Sequence, residues 1–338
     1  MSSKVSVVVP NWNGAERLPP CLDSLARQTL KHHVIVVDNG SIDASRAVLY
    51  SRYPEVEVIP LPKNRGFAGG VNAGLRRAIE LEYDFAALLN NDASPEPGWL
   101  GQLVSALDKN PTAGIVTSKM LDANQEYLDS TGEIYTIWGL PYPRGRREAD
   151  TAKYDKDTAI FGASGGASLY RVAMLRKIGL FDEDYFAYYE DVDLSFRAQL
   201  SGWKVLYVPS ARVSHHIGGT TDSLKGFGTY QTLKNLPWLA VKNLPLPLLP
   251  RVLPRLAVAY TAFFISAIAK GEIWPAAKGS AMMLSLLPKK IFQRWKIQAA
   301  RQISIRYINL IIERDLPPNA RSLRRLRDYW HRLLRKAS

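Results

Sequence analysis

Strands and helices alternate strictly through the first ninety residues of the chain, and this alternation restricts the possible folds more than any other feature. Runs of β-branched and other apolar residues are typical of buried strands. The predicted strands are residues 5–9, 34–37, 56–59 and 85–89. The predicted helices between them are residues 18–28, 44–53 and 68–81. Short connections between such elements favour an α/β fold with a mostly parallel sheet flanked by helices.

The pattern becomes less regular after Asn110. Residues 139–147 are rich in Gly, Pro and Arg, which is typical of a mobile surface loop. Regular elements are predicted again at residues 167–178 and 192–200, followed by a strand at residues 204–208.

The net charge of +13 is distributed unevenly along the chain. Residues 225–338 contain 21 Lys and Arg but only 4 acids, whereas residues 1–224 carry a net charge of −4. A slightly acidic body with a strongly basic tail indicates an anionic partner for the tail. Nucleic acid and the negative cytoplasmic face of a membrane both meet this description.

Cysteine content and the N-terminal sequence bear on the compartment. The single cysteine, Cys21, excludes an intramolecular disulfide and a cysteine-rich zinc cluster, which favours a reducing compartment. The first residues lack the basic flank and long apolar stretch of a secretion signal. We therefore expect the catalytic part to stay in the cytosol.

The composition changes near residue 226, and we predict one domain at residues 1–225 and a basic, amphipathic helical region at residues 226–338. A charge-free run of fourteen residues, 256–269, is short for a membrane crossing, which needs roughly 20 apolar residues. Tryptophans and dispersed basic residues surround it, and residues 321–336 repeat apolar side chains at helical spacing. This pattern favours helices lying in a membrane interface. The alternative is an ordinary helical subdomain packed on the body.

Each of the four predicted strands ends in a polar cluster. The clusters are residues 10–14, 38–41, 64–72 and 90–92. Ligands of parallel sheets bind at this edge, where Asp38 can accept a hydrogen bond from a ribose hydroxyl or a base N–H. Taken singly, each cluster is also ordinary turn and capping chemistry. The glycines of residues 66–70 lack the G-x-G-x-x-G spacing of a dinucleotide-binding domain.

Two acidic clusters and a histidine pair are the candidates for chemistry. Asp92 follows an apolar strand, where a carboxylate can hold Mg²⁺ or Mn²⁺ beside phosphate oxygens, although it could also cap the next turn. Glu190 and Asp191 follow an aromatic run, and crowding should raise the pKa of such a carboxyl, which suits a general base. Helix capping is the alternative for both. Of His215 and His216, at most one should face the site.

The order of these motifs resembles glycosyltransferase family 2, whose members have the Rossmann-like GT-A fold. The motifs that carry the resemblance are VSVVVPNWN (5–13), VVDNGS (36–41), NRGFAGG (64–70), LLNND (88–92), GASGGA (162–167), FDE (181–183), EDVDL (190–194) and HHIGG (215–219). The match covers residues 4–220 and looks most like the branch that contains rhamnosyltransferases of cell-wall and O-antigen assembly.

The resemblance implies a role for each matching position. Asp38 corresponds to the acid that contacts the nucleobase, Asp92 to the metal-binding last acid of the D-x-D motif, Asp191 to the catalytic base, and His215 to a metal-ligand histidine of some members. Further donor-side positions are Pro10, Asn11, Asn13, Asn39, Arg65, Gly66, Gly70, Asn72, Asn90 and Asn91. Acceptor-side positions are Gly165, Gly166, Tyr189 and Glu190. Asn90 departs from the family, since many members have an acid there, so metal binding depends more on Asp92 and His215.

These implications describe an inverting, metal-dependent enzyme that uses a nucleoside-diphosphate sugar. Resemblance to the branch alone points to dTDP-rhamnose, and a UDP-sugar-dependent transferase of the same fold is the alternative. The basic tail suits a polyprenyl-diphosphate-linked glycan acceptor at an anionic membrane surface, with peripheral attachment to the cytoplasmic face. A nucleic-acid-binding protein and a non-catalytic sugar-nucleotide-binding protein are the rivals. The apolar residues 244–287 argue against a nucleic-acid partner.

Overall fold

The computed structural model describes residues 3–216, 224–320, 323–325 and 327. In chain order its strands are β1 (Val5–Asn11), β2 (His33–Asp38), β3 (Glu57–Pro60), β4 (Phe85–Leu89), β5 (Ala93–Pro95), β6 (Ala113–Leu121), β7 (Leu128–Ser130), β8 (Glu133–Tyr135), β9 (Pro141–Pro143), β10 (Thr158–Ile160), β11 (Ala167–Arg171) and β12 (Lys204–His215). Its α-helices are α1 (Leu18–Ala26), α2 (Ser45–Arg52), α3 (Gly66–Glu80), α4 (Trp99–Lys109), α5 (Val172–Ile178), α6 (Glu190–Leu200), α7 (Phe227–Asn243), α8 (Leu249–Ala269), α9 (Ile273–Ala299) and α10 (Ile305–Ile311).

Ten of the described strands form one sheet in the order β10-β12-β6-β11-β4-β1-β2-β3, with β5 paired to β12 and β7 to β6. The four strands predicted from the first ninety residues are parallel neighbours, as expected. Strand β11 lies antiparallel between β4 and β6, so the sheet as a whole is mixed. The predicted element at residues 167–178 is therefore this strand followed by α5. The α/β class with flanking helices is confirmed.

Buried side chains on both faces of β1 explain why helices cover the sheet on two sides. Val7 and Val9 belong to the apolar cluster that contains residues of α1 and α4. Val8, which points to the opposite face, belongs to the cluster formed with α3. The helix approaches so closely that a Cβ atom at Gly74 would lie 2.3 Å from Cγ1 of Val8. This packing fixes the carboxyl ends of β1, β2 and β4 at one edge.

Helices α7, α8 and α9 pack on the same side of the body as α6. One apolar cluster joins Phe161 and Phe196 of the body to Trp238 and Leu239 of α7 and Leu256 of α8. Helices α7 and α9 also contact each other extensively. The division of the chain at residue 225 stays a prediction.

Two sequence-based expectations differ from the structure. The predicted surface loop at residues 139–147 is instead partly buried. It contains β9, which pairs with β8, and Leu140, which is in the core. The apolar segment beyond residue 244 is longer than predicted. Helical residues Leu246–Ala269 are long and apolar enough to cross a membrane by length and composition alone, and 22% of the most apolar window is buried. The helix continues on the N-terminal side of Arg255, the charged residue that precedes the charge-free run of residues 256–269. Most of the basic helix predicted at residues 321–336 lies outside the described residues.

Candidate active site

A cleft of about 800 Å³ lies at the carboxyl edge of the parallel strands. Strand-end residues form one wall, the start of α6 forms another, and His215 at the end of β12 closes one side. The predicted site residues that line it are Pro10, Asn11, Asn39, Gly66, Asn90, Asn91, Asp92, Tyr189, Glu190, Asp191 and His215. The structure therefore brings Asp92, Asp191 and His215 to one cleft, although the first two are 99 positions apart along the chain.

Asp191 is the most accessible acid of the cluster at the start of α6. Its carboxylate accepts hydrogen bonds from the backbone N–H groups of Gly165 at 3.0 Å and Val192 at 2.8 Å. Burial nevertheless raises the pKa of Asp191 above its ordinary value, and the two N–H groups moderate the rise. The carboxyl is thus oriented toward the cleft and has increased basicity.

Glu190 has a different environment from its neighbour. Burial and the adjacent charge of Asp191 raise the pKa of Glu190 to about 8. Its Oε2 atom is buried and has no hydrogen-bond partner among the described residues. The pKa is raised for Glu190 and Asp191, as predicted, and Glu190 is largely protonated at neutral pH. The pKa of Asp193, in the same cluster, is instead lowered, because the charges of Lys242 and Arg197 outweigh burial.

The loop that precedes these acids, residues 182–189, has an unusual backbone. Phe186, Tyr188 and Tyr189 have φ angles of 63°, 70° and 71°, in the left-handed region that side chains disfavour. The amide nitrogen of Asn235, on α7, lies 2.8–3.0 Å from three carbonyl oxygens of this loop. Because these carbonyls belong to Tyr185, Ala187 and Tyr188, α7 holds the strained segment that leads into Asp191.

Buried lysines attach the same loop to α7 and α9. Lys242 lies 2.7 Å from Asp182 and 2.8 Å from Asp193. Lys290 lies 2.7 Å from both Asp182 and Asp184. Both lysine side chains are buried, and their charges hold the pKa of Asp182 below its usual range although burial opposes this. Removing either lysine would leave Asp182 with a single cationic partner, and removing both would leave it with none among the described residues, which is strongly destabilising.

His215 connects two carboxylates at the other end of the cleft. Its Nε2 atom is 3.1 Å from Asp92 and its Nδ1 atom is 2.9 Å from Asp129. Burial disfavours the charged ring, but the hydrogen bonds to Asp129 and Asp92 outweigh it and raise the pKa of His215 to about 9.

The donor set here suits a divalent cation with few protein ligands. Asp92 offers a carboxylate oxygen to the cleft, and His215 offers its Nε2 atom to the same side once a cation displaces the proton from it. Asp129 orients the imidazole as carboxylates do behind metal-binding histidines. Within the described residues, no group of three or more His, Cys, Asp or Glu is arranged to hold a metal ion. A cation held by Asp92 and His215 would therefore complete its coordination with ligand oxygens.

Several predicted donor-side residues lie behind the cleft surface instead of lining it. Asp38 is fully buried, with Arg46 at 2.5 Å from its carboxylate, and Asn39 lines the cleft beside it. Arg65 and Asn72 both contact Glu183, at 2.5 Å and 3.0 Å, so they join α3 to the 182–189 loop.

The remaining predicted positions support the walls of the cleft. Asn13 accepts a hydrogen bond from the backbone of Ile42, and Gly70 lies against the side chain of Asn39. Gly66 has a φ of +71°, and a Cβ atom there would lie 2.3 Å from the carbonyl oxygen of Phe186, so only glycine fits. Gly166 accepts a hydrogen bond from the backbone N–H of Asn90.

The structure adds residues that the sequence reading missed. Glu133, at the start of β8, lines the cleft, and burial together with the charge of Asp191 raises its pKa well above its usual range. Arg146 lies 3.1 Å from Asp129 and also lines the cleft. Both come from the irregular stretch after residue 110. The acidic residues there were the available signal, but spacing alone does not connect them with Asp191.

Comparison with known proteins decides the family. The profile described as Glycosyl transferase family 2 matches residues 6–179, just over half of the chain. The chain belongs to this family. The transferase is 29% identical over 244 residues to the N-acetylglucosaminyl-diphospho-decaprenol L-rhamnosyltransferase of Mycobacterium tuberculosis, an alignment that spans 65% of this chain and 78% of the relative. The predicted family and class of enzyme are confirmed.

Solved structures support the fold. The transferase superimposes on GalNAc-T7 with UDP, GalNAc and Mn²⁺ with a TM-score of 0.56 and 18% identity, over 71% of this chain and 48% of that one. It superimposes on the mannosyltransferase PcManGT of Pyrobaculum calidifontis in complex with GDP-Man and Mn²⁺ with a TM-score of 0.53 and 17% identity, over 89% and 86% of the two chains. At these sequence identities the structural likeness establishes the GT-A fold but does not identify the substrates.

Proposed function

We propose that the transferase moves L-rhamnose from dTDP-rhamnose to a hydroxyl of a polyprenyl-diphosphate-linked glycan, with inversion at the anomeric carbon. The observation that carries the reaction type is the shared cleft, in which Asp191 faces the strand-end residues and the Asp92–His215 pair. The sugar and acceptor are supported by the Mycobacterium tuberculosis relative, which is an L-rhamnosyltransferase acting on N-acetylglucosaminyl-diphospho-decaprenol.

The reaction is a single displacement. The acceptor hydroxyl oxygen attacks the anomeric carbon, its proton passes to the carboxylate of Asp191, and the bond between that carbon and the diphosphate oxygen breaks with its electron pair. The N–H groups of Gly165 and Val192 keep the carboxylate oriented toward the cleft while it takes up the proton. A protonated Glu190 adds no negative charge beside it.

Asp92 and His215 are proposed to hold Mg²⁺ or Mn²⁺ at the leaving-group side. When bound, such a cation neutralises the charge that develops on the departing diphosphate. Asp129 keeps the ring of His215 oriented for this contact. Asn90 and Asn91 line the same side and can donate hydrogen bonds to phosphate oxygens.

The C-terminal helices are proposed to attach the transferase peripherally to the cytoplasmic face of a membrane. Large apolar side chains of α8 and α9 are exposed, with Trp274 at 75% and Trp295 at 71% of full exposure. Basic residues of the same region, such as Arg251, Lys278 and Lys296, would face anionic lipid headgroups. Exposed aromatic and aliphatic side chains on this scale favour a lipid surface over nucleic acid.

A donor screen tests the proposal. The full chain is incubated with a short-chain isoprenoid-diphosphate-linked GlcNAc acceptor and either dTDP-rhamnose or a set of UDP- and GDP-sugars, with and without chelator, and the released nucleoside diphosphate is measured. We expect release with dTDP-rhamnose, loss of release with chelator, and a product of inverted anomeric configuration by NMR. Efficient turnover of a UDP-sugar would reassign the donor, and activity that persists after chelation would exclude the cation.

A further inference from the structure

A second cavity, of about 730 Å³, adjoins the catalytic cleft, and we call it the side groove. It lies between the start of α7, the end of α8 and residues 317–320, and it contains no strand-end residue of the donor side. The two cavities are continuous, because they share six lining residues: Pro141, Tyr188, Tyr189, Leu224, Thr232 and Asn319. A ligand that reaches Asp191 from the side groove would pass Tyr189.

The polar part of the side groove suits an anion. Lys225 and Lys270 line it, both are exposed, and neither forms an ion pair with another residue in the part of the chain that the structure describes. Among the described residues of this lining Glu272 is the one acid, and its carboxylate accepts a hydrogen bond from the hydroxyl of Thr229. The described part of the groove therefore has two ammonium groups without an ion pair and one acid that already accepts a hydrogen bond.

The remaining wall of the side groove is apolar and leads outward. Leu233 and Leu236 of α7 and Ala267 of α8 are buried residues of this lining, whereas Leu224 and Phe263 are exposed. Because Leu224 and Phe263 are 40% and 36% exposed, they can contact the first part of an elongated apolar group that starts in the groove.

We propose that the side groove binds the isoprenoid diphosphate end of the acceptor. The inference rests on the proposed function, because it assigns a place to the part of the acceptor that does not react. In this arrangement the acceptor sugar lies in the cleft at Asp191, and Lys225 and Lys270 pair with the diphosphate. The first isoprene units lie along Leu224 and Phe263. The diphosphate of the sugar donor is excluded from this role, since its proposed partners Asp92 and His215 line only the catalytic cleft.

Binding of farnesyl diphosphate to the full chain, measured without any sugar donor, tests the proposal independently of turnover. Replacing both lysines, Lys225→Ala with Lys270→Ala, should weaken binding by about tenfold or more, since two charge-assisted contacts are lost. Lys31→Ala is the control, because Lys31 is an exposed lysine that lines neither the groove nor the cleft, and it should bind like the unaltered chain. Inorganic diphosphate should bind more weakly than farnesyl diphosphate, because it cannot use the apolar wall.

A groove-filling variant gives a second, steric test. A Cβ atom at Gly228, which lines the groove, would lie 3.8 Å from Cε2 of Tyr188, which is an ordinary van der Waals contact, so a Cβ atom fits there without a clash. Gly228→Trp should weaken farnesyl diphosphate by about tenfold and leave the dissociation constant of dTDP within about twofold, whereas Gly228→Ala should change neither. Farnesyl diphosphate bound equally well by all variants, or displaced competitively by dTDP, would overturn the side-groove assignment. Groove binding without any rhamnose transfer would instead refute the proposed function alone.

Discussion

Two adjacent carboxyls at the start of α6 differ in what surrounds them, and this difference assigns their roles. Asp191 is partly exposed to the cleft and receives two backbone hydrogen bonds. Glu190 is buried, and one of its oxygens has no partner among the described residues. In active sites, different environments give two neighbouring acids different pKa values, so that one acid is ionised and acts as a base while the other stays neutral. We assign the base to Asp191 and a protonated structural role to Glu190.

Asp191→Asn separates base catalysis from donor binding. The amide keeps the shape of the side chain but cannot accept the acceptor proton, so kcat should fall by roughly two to four powers of ten. The dissociation constant of dTDP-rhamnose, measured by calorimetry, should change little because the donor-side residues are untouched. Glu190→Gln is the control, since glutamine resembles the protonated acid, and its kcat at pH 7 should stay within about tenfold. A collapse of donor affinity in Asp191→Asn with kcat intact would show that the role is misassigned.

The buried carboxyl of Glu190 also makes a prediction about pH and stability. The pKa of Glu190 is raised from 4.5 to about 8, so the folded chain binds this proton more tightly than the unfolded chain does. The free energy of unfolding should therefore fall as pH rises through this window, by at most about 1.4 kcal/mol per pH unit from this group. Glu190→Gln should flatten that fall, as measured by urea unfolding at pH 5.5, 7 and 8.5. Parallel pH dependences for the two proteins would contradict the buried, protonated state.

Single residues of the site could be predicted from sequence where a strand end or a motif marked them. Asp92, Asp191 and His215 lie in one cleft, as expected from the order of the motifs. Asp38 was expected at the nucleobase, yet its carboxylate is turned into the protein toward Arg46. The direction of one side chain depends on a partner eight residues away, which strand position does not specify. Glu133 and Asp129 were missed because no regular pattern surrounds them.

Helix α7 is the element that keeps the 182–189 loop in its strained backbone conformation. Asn235→Leu removes the amide that donates hydrogen bonds to three carbonyls of the loop. The strained backbone should then relax, and the carboxylate of Asp191 should no longer be held in its orientation toward the cleft. We expect kcat to fall by about ten- to a hundredfold while KM for the sugar donor stays within about twofold, since misplacement of a reacting group affects the chemical step.

Asn235→Asp is the matched variant for this prediction. It keeps the size of the side chain but places a carboxylate against carbonyl oxygens, and it should show the same separation of kcat from KM. A merely structural role would lower the melting temperature and the amount of active enzyme without altering kcat per active site. Titration of active sites by donor binding distinguishes the two outcomes.

The elements of the sheet could be predicted, whereas their long-range partners could not. Strand β4 was predicted with its observed bounds, because its five apolar residues are local information. Strand β11 was not separated from α5, since the change from strand to helix occurs within one apolar segment. The contact of Asn235 with Tyr185 joins residues 50 positions apart, and no periodicity in either segment indicates it.

The molecule as a whole uses its C-terminal helices for two purposes. On their inner side, Lys242 and Lys290 pair with Asp182 and Asp184, which are half-buried, and Lys242 also pairs with the buried Asp193. On their outer side, α8 and α9 expose apolar side chains to solvent. A chain truncated at residue 225 would therefore lose the counter-charges of the 182–189 loop as well as the proposed membrane contact. Membrane attachment has to be tested on the full chain with surface substitutions.

The triple variant Trp274→Ser, Phe292→Ser and Trp295→Ser isolates the outer surface, because these side chains are 75%, 61% and 71% exposed and have little packing to lose. Burial of an aromatic side chain contributes roughly 1.5–3 kcal/mol, so the loss of three should weaken co-sedimentation with anionic vesicles by at least about tenfold.

Tyr50→Ser is the control for this prediction. It removes an aromatic side chain of α2 that is 61% exposed, and the variant should bind vesicles normally. Turnover of a water-soluble acceptor should be unchanged in both. Residual vesicle binding should weaken further as salt is added, since basic residues supply the rest. Undiminished vesicle binding by the triple variant would show that α9 does not face the membrane.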